Sequence, residues 1–226
     1  MGGRRIIVDA ADYDRVAAEW IEARVEQSLQ QAERCHLMLA GGGTPLSVYR
    51  LLAERDRLPW MRLTLFFGDE RCVPPEHQAS NYRAVKAALF PHGKPDELIL
   101  YRMRGEDEPE QAARDYEGVL PAQLDILLLG IGEDGHTASL FPGSPALQEW
   151  QRRVVTVVGS KPPPRRLSVT PAVIRAARHL LMLAKGESKA EAVRRALQEG
   201  DVPSALADTG DWLMDRGAAQ ALPAEE

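Results

Sequence analysis

Apolar residues fall into short continuous runs separated by longer stretches of mixed polarity. Runs at 6–8, 37–40, 63–67, 98–101, 126–129, 154–158 and 180–184 show little polar alternation, which predicts strands buried on both faces. The segments between them predict helices at 12–34, 45–55, 81–89, 109–119, 171–177 and 189–198. In the first, Val16, Trp20, Ala23, Gln27 and Leu29 lie loosely on one face of a stretch free of Gly and Pro. Strand and helix alternate along most of the chain, and that order predicts an α/β fold with a mostly parallel sheet covered by helices on both faces.

The stretch 142–164 breaks the pattern. Lys161-Pro162-Pro163-Pro164 cannot continue a helix, because proline lacks the amide donor and clashes with the preceding turn. It reads as a loop joining the main layer to a smaller return portion. No Ser/Gly linker accompanies it, so 1–226 reads as one α/β domain with room for a small lobe. The tail 218–226 is expected to fray.

Length agrees, since 226 residues make one domain, or one domain with a lobe, at roughly 150 residues each. Charge narrows the partners. Lys and Arg number 28 against 33 Asp and Glu, a net −5, which disfavours a general nucleic-acid grip while leaving room for a local cationic pocket. Two cysteines, Cys35 and Cys72, build no disulfide framework and no CxxC pair. The start, Arg4-Arg5-Ile6-Ile7-Val8-Asp9, lacks the apolar core of a signal peptide, and no apolar stretch approaches the roughly 20 residues that span a bilayer. A soluble, cytoplasmic protein without membrane contacts is expected, as a monomer, with an oligomer permitted.

Candidate chemistry gathers after the apolar runs. Ala40-Gly41-Gly42-Gly43-Thr44-Pro45 lies between a strand and a helix, where inward amides and a helix start suit a phosphate. Thr44 is the expected cap and Pro45 the first helical residue; a plain capped turn is the competing reading. Gly68-Asp69-Glu70-Arg71 places two carboxylates and a guanidinium past another strand, where arginine can fork onto a phosphate. Ser80 caps the helix that Asn81, Tyr82 and Arg83 open.

The third cluster says most. The run 124–129 leads into Gly130-Ile131-Gly132-Glu133-Asp134-Gly135-His136-Thr137. Its glycines allow close backbone approach to a ligand, and a histidine with an ordinary pKa near about 6.5 exchanges protons near neutrality. No ribose-binding acid or regular helix follows, so this is not a dinucleotide fingerprint, and His136 has no partner at metal-ligand spacing. His36, His77, His92 and His179 are scattered and read as surface or packing residues. Two further cationic clusters, Lys161 with Arg165-Arg166 and Lys185 with Lys189, read singly as solvated faces. Because strand carboxyl ends share one edge of a parallel sheet, these groups together predict an anion pocket with one proton-transfer residue.

The strings Gly42-Gly43-Thr44-Pro45, Gly68-Asp69-Glu70-Arg71-Cys72-Val73-Pro74 with Ser80-Asn81-Tyr82-Arg83, Asp134-Gly135-His136-Thr137-Ala138-Ser139-Leu140-Phe141-Pro142-Gly143 and Pro163-Pro164-Arg165-Arg166-Leu167-Ser168-Val169-Thr170 resemble the 6-phosphogluconolactonase family over nearly the whole chain. The resemblance implies a Rossmann-like fold of the sugar-phosphate isomerase and deaminase type. It implies hydrolysis of a phosphorylated sugar lactone, 6-phosphoglucono-1,5-lactone, as a step of the oxidative pentose phosphate pathway, with no organic cofactor. By that likeness His136 is the acid/base, while Arg71, Arg166 and Lys189 bind the anionic substrate. Asp134 or Glu133 would orient the imidazole, and amides near Gly132 together with Arg71 would meet the oxyanion. The candidate site is therefore His136, Asp134 and Arg71 as catalytic residues. Gly42, Gly43, Thr44, Asp69, Asn81, Arg83, Gly132, Arg166 and Lys189 complete it as binding residues, with no metal. Rival readings are a glucosamine-6-phosphate deaminase, which would need a catalytic Glu soon after the histidine, and a non-catalytic sugar-phosphate sensor.

Overall fold

The computed structural model describes residues 3–223. The first half runs β1 (Arg5–Val8), α1 (Tyr13–Leu29), β2 (Cys35–Leu39), α2 (Gly43–Arg55), β3 (Leu63–Phe67), β4 (Asp69–Arg71), α3 (Asn81–Leu89), β5 (Ile99–Leu100) and α4 (Pro109–Val119). The second half runs β6 (Ile126–Gly130), β7 (Val154–Val158), β8 (Arg165–Val169), α5 (Pro171–Ala176), β9 (His179–Ala184), α6 (Ala190–Arg194), β10 (Asp211–Asp215) and α7 (Arg216–Ala219).

Seven strands form one parallel sheet in the order β1-β10-β9-β6-β2-β3-β5. Its central strands are apolar on both sides because both sides are covered. In β6, Ile126 and Leu128 pack with α1, α2 and α3, whereas Leu127 and Leu129 face α4 and the elements that follow β6. From β2 the chain steps outward to β3 and β5, then returns to β6 on the other flank of β2. The carboxyl ends of β2 and β6 therefore lie where successive connections diverge, the place at which open α/β sheets form a ligand crevice.

Several expectations need correcting. In α1 the buried stripe is Tyr13, Ala17, Ile21 and Val25, while Ala23 and Gln27 are exposed; the inward face uses small alanines that a search for large apolar residues passes over. That helix ends at Leu29, not near 34. The helix expected at 189–198 is divided into a 3-10 turn (Glu187–Lys189), α6 and a π-helical turn (Arg195–Glu199). Residues 218 and 219 do not fray, because α7 buries Ala218 and Asp215 caps it; 224–226 fall outside the described residues. The stretch 142–164 contains a 3-10 turn (Pro145–Gln148) and β7. It leads into an antiparallel sheet ordered β4-β8-β7, in which Arg71 stands opposite Arg166. Among the described residues no helix is long and apolar enough to cross a membrane.

Strand β10 is tied to the edge by Asp211, which accepts hydrogen bonds from the Arg4 guanidinium at 2.7 Å and from Trp20 Nε1 at 2.8 Å. Burial opposes ionisation of this carboxyl, but those donors outweigh it and bring its pKa down to about 2. The folded state thus favours the charged form, so the stabilisation is full above the ordinary carboxyl range and fades as pH falls toward about 2. Asp211→Asn is expected to lower the urea midpoint at pH 7 and to have little effect near pH 2, which denaturation curves at the two pH values measure.

Candidate active site

A cleft of about 380 Å³ opens at the carboxyl ends of the central strands. Its floor begins with the loop after β2. Gly42 takes φ +97° and stands as N-cap of α2, so the helix starts at Gly43 and Thr44 lies inside the first turn without capping it. That corrects the capping expected of Thr44. Among the described residues, the amides of Gly42, Gly43 and Thr44 donate to no protein acceptor, and all three residues line the cleft. Tyr49 fixes the approach to this loop, its hydroxyl meeting both the amide and the carbonyl of Ala40 at 3.0 Å. At Gly41 a Cβ would fall 2.2 Å from Asn81 Oδ1, so the loop lies tight against the start of α3.

The two carboxylates after β3 have separate tasks. Glu70 turns away from the cleft and accepts from the amides of Arg71, Asn81 and Tyr82 and from Ser80 Oγ. It anchors the start of α3 alongside the Ser80 cap, whose Oγ accepts from the Arg83 amide at 3.2 Å. Burial raises the Glu70 pKa despite those four bonds. Asp69 lines the cleft and accepts from Asn81 Nδ2 at 3.0 Å and Ser139 Oγ at 2.6 Å.

Two guanidinium groups stand side by side. Arg71 donates through Nη1 to the Ala79 carbonyl at 2.6 Å, and its Nε is buried without a partner. Arg166, only 4% exposed, donates to the carbonyls of Pro163 at 3.1 Å and Lys161 at 3.0 Å. Among the described residues neither makes an ion pair. Burial first, and then the like charge of Arg71, lower the Arg166 pKa against the pull of Asp69. Adjacent cations, one buried and one half-buried, without a carboxylate partner among the described residues create a demand for an anionic ligand.

Opposite them, the loop after β6 holds His136. Its Nδ1 lies 2.5 Å from Asp134 Oδ1, which also accepts from the His136 amide at 3.3 Å. Asp134, not Glu133, is thus the acid in contact with the imidazole; Glu133 lies 3.7 Å from Lys189. Burial works against ionisation of Asp134, yet the hydrogen bond and charge of His136, with a smaller pull from Lys161, hold its carboxyl below the ordinary range. The imidazole rests on Phe141, centroids 4.7 Å apart, and Phe141 also lies 5.3 Å beneath the Arg166 guanidinium. One ring therefore touches both the His136 imidazole and the Arg166 guanidinium.

Gly132 is required for a steric reason, since a Cβ there would sit 2.0 Å from His136 Nδ1 and 2.5 Å from Asp134 Oδ1. Gly132→Ala is expected to displace the ring and cut kcat ~100-fold, with the fold retained by circular dichroism; steady-state kinetics check it. The amide of Gly132 itself donates to the His136 carbonyl at 2.8 Å and closes the loop.

The cleft brings together Gly42, Gly43, Thr44, Asp69, Arg71, Asn81, Gly132, His136, Arg166 and Lys189, with Asp134 behind the imidazole. Arg83 is corrected: it is exposed and outside the lining. Asn81 faces inward, and two residues further along a helix lie about 200° around its axis. Lys161 and Lys185 also line the cleft and were singled out in the sequence only as members of cationic clusters. Lys185 pairs with Asp14 at 3.2 Å.

Fold and site define an α/β protein whose cleft, at a sheet switch point, sets a carboxylate-bonded imidazole opposite two guanidinium groups. The chain belongs to the family described as glucosamine-6-phosphate isomerases/6-phosphogluconolactonase, whose family model matches residues 8–214. It is 37% identical over 209 residues to 6-phosphogluconolactonase of Mycobacterium tuberculosis, covering 83% of this chain and 85% of that protein. The solved 6-phosphogluconolactonase of Thermotoga maritima superposes with a TM-score of 0.85 at 27% identity, over 94% of this chain and 99% of that one. A monomeric glucosamine-6-phosphate deaminase shares the fold, at 24% identity and a TM-score of 0.83 over 96% and 99% of the two chains.

Proposed function

We propose that this chain hydrolyses 6-phosphoglucono-1,5-lactone to 6-phosphogluconate, with His136 moving the proton. The observation that carries the reading is the His136–Asp134 contact of 2.5 Å beside two guanidinium groups that have no ion partner among the described residues. Ionised Asp134 accepts from Nδ1–H, which leaves Nε2 as the basic nitrogen of a ring that lines the cleft. Nε2 takes a proton from water as its oxygen attacks the lactone carbonyl carbon. The tetrahedral intermediate then expels the ring oxygen, which receives that proton from the imidazolium, and a hydroxy acid results. Each transfer is worth roughly 10²- to 10⁴-fold.

The free amides of Gly42, Gly43 and Thr44, with Arg166 and Lys189, hold the phosphate, and Arg71 adds positive charge over the developing oxyanion. Binding the remote phosphate fixes the reacting carbon against His136. Asn81 and Asp69, locked together and to Ser139, present polar atoms to the sugar hydroxyls. The two cysteines are free, which suits a reducing, cytoplasmic compartment, and the enzyme is read as a monomer.

The deaminase shares the fold, but no acid lies between His136 and Glu149 in this sequence, so the second carboxylate that reaction needs is missing from this loop. The test follows acid release from freshly made phosphogluconolactone above its spontaneous hydrolysis, alongside ammonia release from glucosamine 6-phosphate. Acid release alone is expected. Ammonia release, or neither signal, overturns the reading.

A further inference from the structure

We propose that Lys161 is a substrate-binding residue that selects phosphorylated over unphosphorylated lactones, its ammonium group joining Arg166 around the phosphate. The inference rests on the hydrolase reading above and adds a specificity-determining residue to it. Lys161 occupies the turn between β7 and β8 and lines the cleft although it is exposed. Its charge is the uncommitted one among the three cleft lysines. Lys185 is paired with Asp14 at 3.2 Å and Lys189 lies 3.7 Å from Glu133, whereas Lys161 has no carboxylate within ion-pair distance among the described residues.

The backbone of the same turn aims the arginine. Arg166 Nη2 donates to the Lys161 carbonyl at 3.0 Å and Nε to the Pro163 carbonyl at 3.1 Å. Nη1 donates to none of the described residues and remains for a ligand. The turn is seated from behind as well, because a Cβ on Gly159 would lie 2.5 Å from Phe141 Cε2, and Phe141 underlies both Arg166 and His136. Lys161 is thus held beside the arginine it helps to aim, and its charge reaches Asp134, whose carboxyl it helps keep ionised. A dianionic phosphate between Lys161 and Arg166 satisfies two cations that have no ion partner among the described residues.

The test uses the full chain with Lys161→Met, which removes the charge and keeps the stem and the backbone carbonyl, and Lys161→Arg as the conservative variant. For the phosphorylated lactone, K161M is expected to raise KM ~10-fold with kcat within about twofold, and K161R to recover most of the loss. On unphosphorylated glucono-1,5-lactone, kcat/KM is expected to stay within about twofold of the unaltered protein. Calorimetry with 6-phosphogluconate reads the same contact without turnover, and K161M is expected to bind it ~10-fold more weakly. An unchanged KM and Kd overturns the proposal, as does an equal loss on both lactones. If the unaltered protein binds 6-phosphogluconate but hydrolyses neither lactone, the hydrolase reading fails while the binding comparison still decides the role of Lys161.

Discussion

Replacing His136 by Ala is expected to lower kcat for phosphogluconolactone ~10²- to 10⁴-fold, because one imidazole makes both proton transfers. KM is expected to stay within about threefold, since the cationic groups that hold the phosphate are untouched. The ring sits on Gly132 and Phe141, so its removal also opens space in the loop. His136→Gln fills that space without supplying a base. Equal kcat losses in both variants, with melting curves like that of the unaltered protein, assign the effect to chemistry. If His136→Ala hydrolyses the lactone at the full rate, the imidazole is not the base.

Arg166→Met is expected to raise KM ~100-fold with a much smaller change in kcat. The side chain is nearly buried, and Asp69, whose charge acts on it, is already engaged by Asn81 and Ser139. Its charge therefore has no purpose inside the fold that a carboxylate would reveal. Inhibition by inorganic phosphate is expected to weaken in parallel with KM. Steady-state kinetics measure both, and a variant that loses kcat at unchanged KM places Arg166 at the reacting carbon instead.

The central sheet was legible where burial on two faces leaves a continuous apolar run, as in β3, β6 and β9. Strand β10 was not, because Asp211 and Asp215 frame only Trp212, Leu213 and Met214. Each of those acids answers a local need: one ties Arg4 and Trp20, and the other caps α7. β4 and β8 were hidden because they carry Arg71 and Arg166 into the cleft, and a strand that holds arginines at a cleft breaks the apolar pattern by which strands are recognised.

Residue identities pointed to most of the cleft lining, because a glycine turn, an acid two positions before a histidine and arginines after strands each have a local physical meaning. What local sequence does not carry is direction. Glu70 and Asp69 are neighbours with opposite orientations, one anchoring α3 and the other lining the cleft. Arg83 shares a helix start with Asn81 yet points away, and Lys161 enters the cleft through a turn whose path depends on contacts with Phe141 and Arg166.

The most direct measurement is a crystal structure of the protein with 6-phosphogluconate bound. The phosphate is expected on the amides of Gly42, Gly43 and Thr44 beside Arg166, and the carboxylate carbon on the far side, with an oxygen about 3 Å from His136 Nε2. A product lying with its phosphate against His136, or outside this cleft, would contradict it.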